Sequence, residues 1–291
     1  MHKRTERNLT VSSGGRDAGL HKLALIGAGK LGEGLLSSLL ASQLIPAERV
    51  AVTVAHQPRA DYLASKYGVE SGTDNAHAVA GADLVLICLK PQQVRGFLKE
   101  VKARLSRHAL LISAAASVTT GLIEGELGYH ARVVRSMPNT PCLIRQGMTA
   151  IARGRFATDA DVKLAETLFR SMGRTAVADE KHMDAITGLS GSGPAYVYVI
   201  IESLAEAGVK LGLPRELSTL LSAQTLLGAS ALALETGEHP AKLKDMVTTP
   251  AGCTIDGLLE LEEGGLRVTL IKAVVRAAQR ARQLVEGQNT Q

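Results

Sequence analysis

A chain of 291 residues can close one large core or two ordinary ones, and 45% of this one is apolar although aromatic residues make up only 3% and Trp is absent. So few aromatics offer no stacking platform for bases, and a formal charge of +5, spread along the chain, forms no concentrated basic face. Nucleic-acid binding is thereby excluded as the main task, and the mild positive bias suits an acidic metabolite or a cofactor phosphate.

Residues 1–20 are polar and basic and lack the apolar middle of a secretion signal, so they read as a disordered tail. No apolar run is expected to reach membrane-spanning length. From Lys22 the pattern changes. Leu23–Ile26 is a short apolar strand, Gly27-Ala28-Gly29-Lys30-Leu31-Gly32 follows at once, and Leu31, Leu35, Leu36, Leu39 and Leu40 recur at helical spacing. Strand, glycine motif and helix in direct succession mark a dinucleotide-binding turn. In such a turn Gly27 permits the tight bend, Gly29 lets a pyrophosphate lie against backbone, and Gly32 lets the helix pack on the strand.

The second strand, Val50–Val54, runs into Ala55-His56-Gln57-Pro58-Arg59 without the acid that usually holds the ribose hydroxyls of NAD. NADPH is favoured on that ground, with NADH as the alternative. Arg59 reads equally well as a phosphate donor or as a solvated cation. A helix over Arg59–Lys66, a strand near Val69, and strands at Leu84–Cys88, Leu110–Ser113 and Val133–Ser136 continue the alternation. All are apolar, as in a parallel sheet covered on both faces. Loops at their carboxyl ends, where ligands bind in such folds, hold Lys90-Pro91, Ser113-Ala114-Ala115-Ala116 and Met137-Pro138-Asn139-Thr140-Pro141. Strands at Thr149–Ala152 and Thr175–Ala178 flank a helix over Asp159–Met172.

Strand signals then stop. The expected architecture is α/β: a Rossmann-type dinucleotide-binding domain over 21–180, then an all-α domain over 181–291. Long helices at Ala195–Leu211 and from Pro214 to about Thr236 are apolar on more than one face, which calls for burial against a second copy of the chain. A short helix at Ala241–Val247 leads to Thr248-Thr249-Pro250-Ala251-Gly252, and a new helix starts near Thr254, placed as its capping hydroxyl. The free N–H groups of that start make a seat for a carboxylate. A last helix spans Arg267–Glu286.

Eight His residues show no ligand spacing, so no metal is implied. Cys88, Cys142 and Cys253 stand far apart in no CxxC pair, which fits a reducing, cytoplasmic setting. Ser190-Gly191-Ser192-Gly193 lacks the strand a nucleophile elbow needs. Hydride transfer remains, with the cofactor doing the chemistry. For an iminium acceptor the nitrogen already carries its proton, and a hydroxyl such as that of Thr254 suffices to hold it.

Three stretches of the helical half carry a more specific signal: Asp184-Ala185-Ile186-Thr187-Gly188-Leu189-Ser190-Gly191-Ser192-Gly193-Pro194-Ala195-Tyr196, Gly212-Leu213-Pro214, and Leu243-Lys244-Asp245 leading to Thr249-Pro250-Ala251-Gly252-Cys253-Thr254. With Ile26–Gly32, Leu89-Lys90-Pro91 and Met137–Pro141, they resemble pyrroline-5-carboxylate reductase from about Lys22 to Leu284. The resemblance implies an oxidoreductase of proline biosynthesis, reducing 1-pyrroline-5-carboxylate to L-proline with NAD(P)H, built as an intertwined homodimer and often assembled further. It implies cofactor contacts at Ile26, Gly27, Ala28, Gly29, Lys30, Leu31, Gln57, Asn75, Cys88, Lys90 and Ala116. It also implies substrate contacts at Glu180, Gly252, Cys253 and Thr254, those of Gly252 and Cys253 through backbone N–H, with Thr254 as the catalytic hydroxyl.

The chain departs from the family pattern at four positions: Ala251 and Cys253 in the turn, Ser117 where Gly is usual, and Met246 where an Asn can contact cofactor. Ala251 requires a negative φ to sit there without strain. Two other readings stay open, a related cyclic-imine or 3-hydroxyacid oxidoreductase with Lys181 or Lys210 as base, and a cofactor-binding regulatory dimer without turnover.

Overall fold

The computed structural model describes residues 20–289, with side chains as far as residue 284. The polar tail lies outside these residues except for Leu20, which is fully buried in the core instead of belonging to a tail.

The described chain divides into two compact units, residues up to 191 together with 277 onward, and Ser192–Arg276. In the first, strands and helices alternate: β1 (Leu23–Ile26), α1 (Lys30–Ala41), β2 (Val50–Thr53), α2 (Gln57–Tyr67), β3 (Glu70–Gly72), α3 (Asn75–Val79), β4 (Leu84–Ile87), α4 (Pro91–Val101), β5 (Leu110–Ser113) and α5 (Thr120–Leu127). Then come β6 (Arg132–Pro138), β7 (Gly147–Arg153), α6 (Asp159–Arg170), β8 (Gly173–Val177) and the single-turn α7 (Met183–Ile186).

The eight strands form one sheet in the order β3-β2-β1-β4-β5-β6-β7-β8. β1 lies between β2 and β4, with Ile26 opposite both Thr53 and Ile87. Because side chains alternate along a strand, Leu23 and Leu25 face one core with Leu35, Leu36 and Phe169. Ala24 and Ile26 face the other, with Val94, Phe97 and Leu98. Helices on both faces explain why β1, β2, β4 and β5 are buried from end to end.

The strands expected to be parallel, β1 to β6, do pair in parallel; beyond them β7 runs antiparallel to β6, with Met137 opposite Ala150. Only residues 139–146 join these strands, too short a link to carry a crossover helix back to a parallel start. One expectation needs correction, that of uniformly apolar, covered strands: β3 and β8 sit at the two sheet edges, and no residue of either is buried. Inside the sheet, β6 carries the buried cation Arg135, whose guanidinium lies 3.4 Å from Glu180 and 3.9 Å from Asp184.

The second unit comprises α8 (Gly193–Lys210), α9 (Arg215–Thr236), α10 (Pro240–Met246), α11 (Cys253–Glu263) and the start of α12 (Leu266–Asn289). α8 and α9 touch through small residues. The Ser218 hydroxyl donates to the Ala205 carbonyl at 2.6 Å, and a side chain at Gly208 would strike it. Burial is otherwise sparse: Leu220, Leu227 and Leu234 on α9 are 64%, 59% and 59% exposed. Contrary to the sequence expectation, α9 is long and apolar enough to cross a membrane, with a mean hydropathy of 1.4 over 18 residues. Each such leucine would gain about 1.5–3 kcal/mol on full burial, so the unit is built to be covered.

Candidate functional site

The strand-rich unit forms a cleft of about 290 Å³ at the carboxyl ends of β1, β2 and β4, bordered by Gly27, Thr53, Ala55, Asn75 and Leu89. This is the point where the sheet's connections diverge to either side of β1, the expected place for a ligand in a doubly wound fold. A larger hollow of about 590 Å³, bordered by Arg153, Asp159 and Glu180, lies by β8 and has no glycine loop. The smaller cleft is the one with dinucleotide chemistry.

The three glycines of the loop do three different things. Gly27 has φ +89°, and a Cβ there would stand 2.9 Å from the Cys88 carbonyl. A Cβ on Gly32 would stand 2.6 Å from the Gly27 carbonyl, which fixes how closely α1 packs on β1. Gly29 meets nothing within 4 Å and is exposed. It is also the N-cap of α1 and supplies no capping side chain, so the first N–H groups of the helix are left to an external acceptor. Free donors around an open glycine fit a pyrophosphate.

Other expected cofactor residues lie around this loop. The Ile26 carbonyl accepts from Cys88 N–H at 2.8 Å, joining the loop to the end of β4. Burial, with a smaller push from Cys142, raises the Cys88 thiol to about 12, so it stays neutral. Lys90 begins α4 as its N-cap and its N–H donates to Gln93 at 3.2 Å. Gln57 opens α2 and donates to Asp61 at 2.7 Å, while Asn75 donates to Glu100 at 3.0 Å within the cleft. Ala28 is buried, Lys30 is exposed, and Leu31 and Ala116 are half-buried.

Sequence reasoning missed the organising acid of this region, Glu33. Its carboxylate accepts from Arg59, from Lys66 at 3.0 Å and from Tyr67 at 2.9 Å. Partial burial pushes its pKa up, but hydrogen bonds from Lys66, Arg59 and Tyr67 and the Arg59 charge outweigh that and hold it at about 2. Arg59 is therefore not a merely solvated cation: it pairs with Glu33, stacks over Tyr62 at 4.9 Å and reaches the Ala28 carbonyl at 3.4 Å. A Glu followed by Arg, Tyr, Lys and Tyr about 30 residues on carries no local signal.

Glu180 also belongs to the strand-rich unit. Its carboxylate accepts from Thr120 N–H at 2.8 Å and from the Thr120 hydroxyl at 2.6 Å, bonding the first residue of α5, and lies 3.4 Å from Arg135. A carboxylate has about four acceptor positions, so one remains. Asn139 accepts from Met148 N–H at 2.9 Å and donates to the Ser190 carbonyl at 3.3 Å, bracing its loop and not projecting from it.

In the helical unit, Thr249–Gly252 is a tight turn closed by Gly252 N–H to the Thr249 carbonyl at 3.0 Å. Pro250 takes the second position, and Ala251 the third with φ +57°, where glycine is the usual residue. The negative φ expected of Ala251 is thus overturned: this turn places its third residue left-handed, as a type II turn does. A Cβ on Gly252 would stand 2.4 Å from the Thr249 hydroxyl, which must then rotate away, and 3.1 Å from the Thr249 carbonyl.

Two further corrections follow from this turn. The N-cap of α11 is Gly252, so Thr254 is the second helical residue and not the cap. The Gly252 N–H is already used by the turn, leaving those of Cys253 and Thr254, with no capping side chain, as the donors facing outward from the helix start. Cys253 is exposed and Thr254 half-buried. Neither lysine considered as a base is set up for proton abstraction: Lys181 is 70% exposed and pairs with Asp179 at 3.1 Å, and Lys210 ends α8 on the surface.

Residues 180–284 match the family model for pyrroline-5-carboxylate reductase dimerisation, and residues 22–117 match that for NADP oxidoreductase, coenzyme F420-dependent. A pyrroline-5-carboxylate reductase from Methanosarcina acetivorans is 40% identical over 263 residues, 90% of this chain and 97% of that one. Among solved structures, a pyrroline-5-carboxylate reductase from Coxiella burnetii superposes with a TM-score of 0.85 at 38% identity, covering 91% of this chain and 98% of the other. The Plasmodium falciparum pyrroline carboxylate reductase, solved with NADP bound, gives 0.82 at 31% identity, covering 91% and 98%.

Proposed function

The chain belongs to the pyrroline-5-carboxylate reductase family, and from that premise we propose how its residues serve the reduction of 1-pyrroline-5-carboxylate to L-proline with NADPH. The observation that carries the reading is the start of α11, where Cys253 and Thr254 offer uncapped N–H groups and the Thr254 hydroxyl is not consumed by capping.

The substrate is a small ring bearing a carboxylate and a C=N bond. Its carboxylate takes the Cys253 and Thr254 N–H groups, where the partial positive charge of the helix start favours an anion. The Thr254 hydroxyl accepts from the protonated ring nitrogen, fixing the face of the ring that is reduced. Glu180 is a further substrate contact in this reading: its carboxylate keeps one acceptor position, and its negative charge favours an iminium over a neutral imine. Turning over a pre-protonated iminium needs no general acid at the reacting carbon. Bound NADPH supplies the hydride.

On the strand-rich unit, Ile26 to Leu31 hold the pyrophosphate through the open face at Gly29 and the uncapped start of α1. Gln57 and Asn75 stand at the adenosine phosphate, and Cys88, Lys90 and Ala116 line the path toward the nicotinamide. The helical unit makes a homodimer by covering the exposed faces of α8 and α9, with further assembly on the dimer. Three free thiols among the described residues support a cytoplasmic setting.

The test is NADPH oxidation followed with pyrroline-5-carboxylate, with its six-membered analogue, and with a 3-hydroxyacid and NADP as the opposing control. Turnover confined to the cyclic imines is expected. Thr254→Ala should then lower turnover about tenfold to a hundredfold, the loss of one charged hydrogen bond in the transition state, and leave NADPH affinity as it was. Full turnover in that variant removes the hydroxyl from the mechanism.

A further inference from the structure

The loop after β5 is held by groups drawn from distant parts of the chain. Ala114 N–H donates to the Ile87 carbonyl at 2.8 Å, Ala115 N–H to the Ser113 hydroxyl at 3.3 Å, and Val118 N–H to the Ala115 carbonyl at 3.4 Å. Between them Ser117 turns left-handed, with φ +61°, although it carries a Cβ and is only 1% exposed. That backbone conformation is costly for any residue but glycine.

The Ser117 hydroxyl has a specific partner. It donates at 3.1 Å to the carbonyl of Ala281, 164 residues further on, near the end of α12 in the same unit. Ala281 is itself 4% exposed. Glycine at this position would relieve the strain and lose the bond. A left-handed Cβ and a buried hydrogen bond are of similar magnitude and opposite sign. Serine therefore leaves stability nearly level while tying the loop to the last helix.

We propose that Ser117 is a positioning residue for the cofactor, tethering the loop Ala114–Val118 to the end of α12 so that Ala116 is held still against the nicotinamide. The proposal rests on the reading that Ala116 meets the cofactor. Ser117→Gly permits the loop's φ without strain and removes the tether. Ala281→Leu keeps Ser117 and wedges the helix away from the loop.

Amide hydrogen exchange at Ala115 and Val118 in the free protein and NADPH titration by fluorescence are the two readouts. Both variants should speed exchange and weaken NADPH about fivefold, the worth of one hydrogen bond, with the KM for pyrroline-5-carboxylate unchanged. Ser117→Gly should also keep the parent's melting temperature, which a merely structural role would not combine with weaker cofactor binding. Parental exchange rates and NADPH affinity in both variants would overturn the proposal. Ala116→Val in the same titration separates the two ideas. Weaker NADPH there beside parental affinity in the tether variants sinks the tether alone, whereas unaltered affinity in Ala116→Val sinks the cofactor placement and the proposal with it.

Discussion

Replacing Glu33 with glutamine removes the one negative charge around which Arg59, Lys66, Tyr62 and Tyr67 gather. Its carboxyl is held at about 2 against an ordinary 4.5, a preference for the charged form equivalent to roughly 3 kcal/mol of folding stability. The Glu33 side chain is 19% exposed but Arg59 and Lys66 are 36% and 47% exposed, so solvent screening reduces the figure to about 1–2 kcal/mol. The folded pKa lies below the unfolded one. The stabilisation is therefore complete above about 4.5 and disappears as pH falls through 2. Urea unfolding of parent and Glu33→Gln at pH 7, 5 and 3, at one protein concentration, reads it directly. Equal gaps of about 1–2 kcal/mol at pH 7 and 5, reduced by roughly half or more at pH 3, are expected. A gap that persists undiminished at pH 3, or none at pH 7, refutes the electrostatic account of this cluster.

The glycine loop separates folding from binding. Gly29→Val should leave the protein folded, since a Cβ there meets nothing within 4 Å and only the helix cap is weakened, by about 1 kcal/mol, and abolish the NADPH titration. Gly32→Ala should destabilise the fold by about 1–3 kcal/mol, because its Cβ is driven to 2.6 Å from a backbone carbonyl. Ala251→Gly relieves a left-handed residue by about 1–2 kcal/mol while freeing the unfolded chain by about 0.4–1 kcal/mol, so the midpoint of unfolding should rise slightly and turnover persist; a fall would contradict the turn geometry. Charging the exposed face of α9 with Leu220→Glu and Leu227→Glu should convert the assembly to smaller species by light scattering, and unaltered mass would place the contact elsewhere.

What the sequence determined by itself was whatever depends on neighbours within a few residues. Leu23–Ile26 is a strand because four apolar residues precede a glycine bend, and the motif from Gly27 to Gly32 sets turn, opening and helix packing within six positions. The start of a helix after Pro250 was legible for the same reason, as was the unpartnered apolar surface of α8 and α9. Tertiary structure alone decided what depends on groups brought together from far apart. It ran β7 against β6, placed Arg135 beside Glu180, and gathered Lys66 and Arg59 on Glu33. It also moved Thr254 two positions inside its helix by closing the turn at Gly252, and it gave the Ser117 hydroxyl a carbonyl 164 residues away. Local propensity acts through bonds and short loops, which a linear chain displays; charge pairing and left-handed strain are settled only when the packed fold supplies a partner to offset their cost.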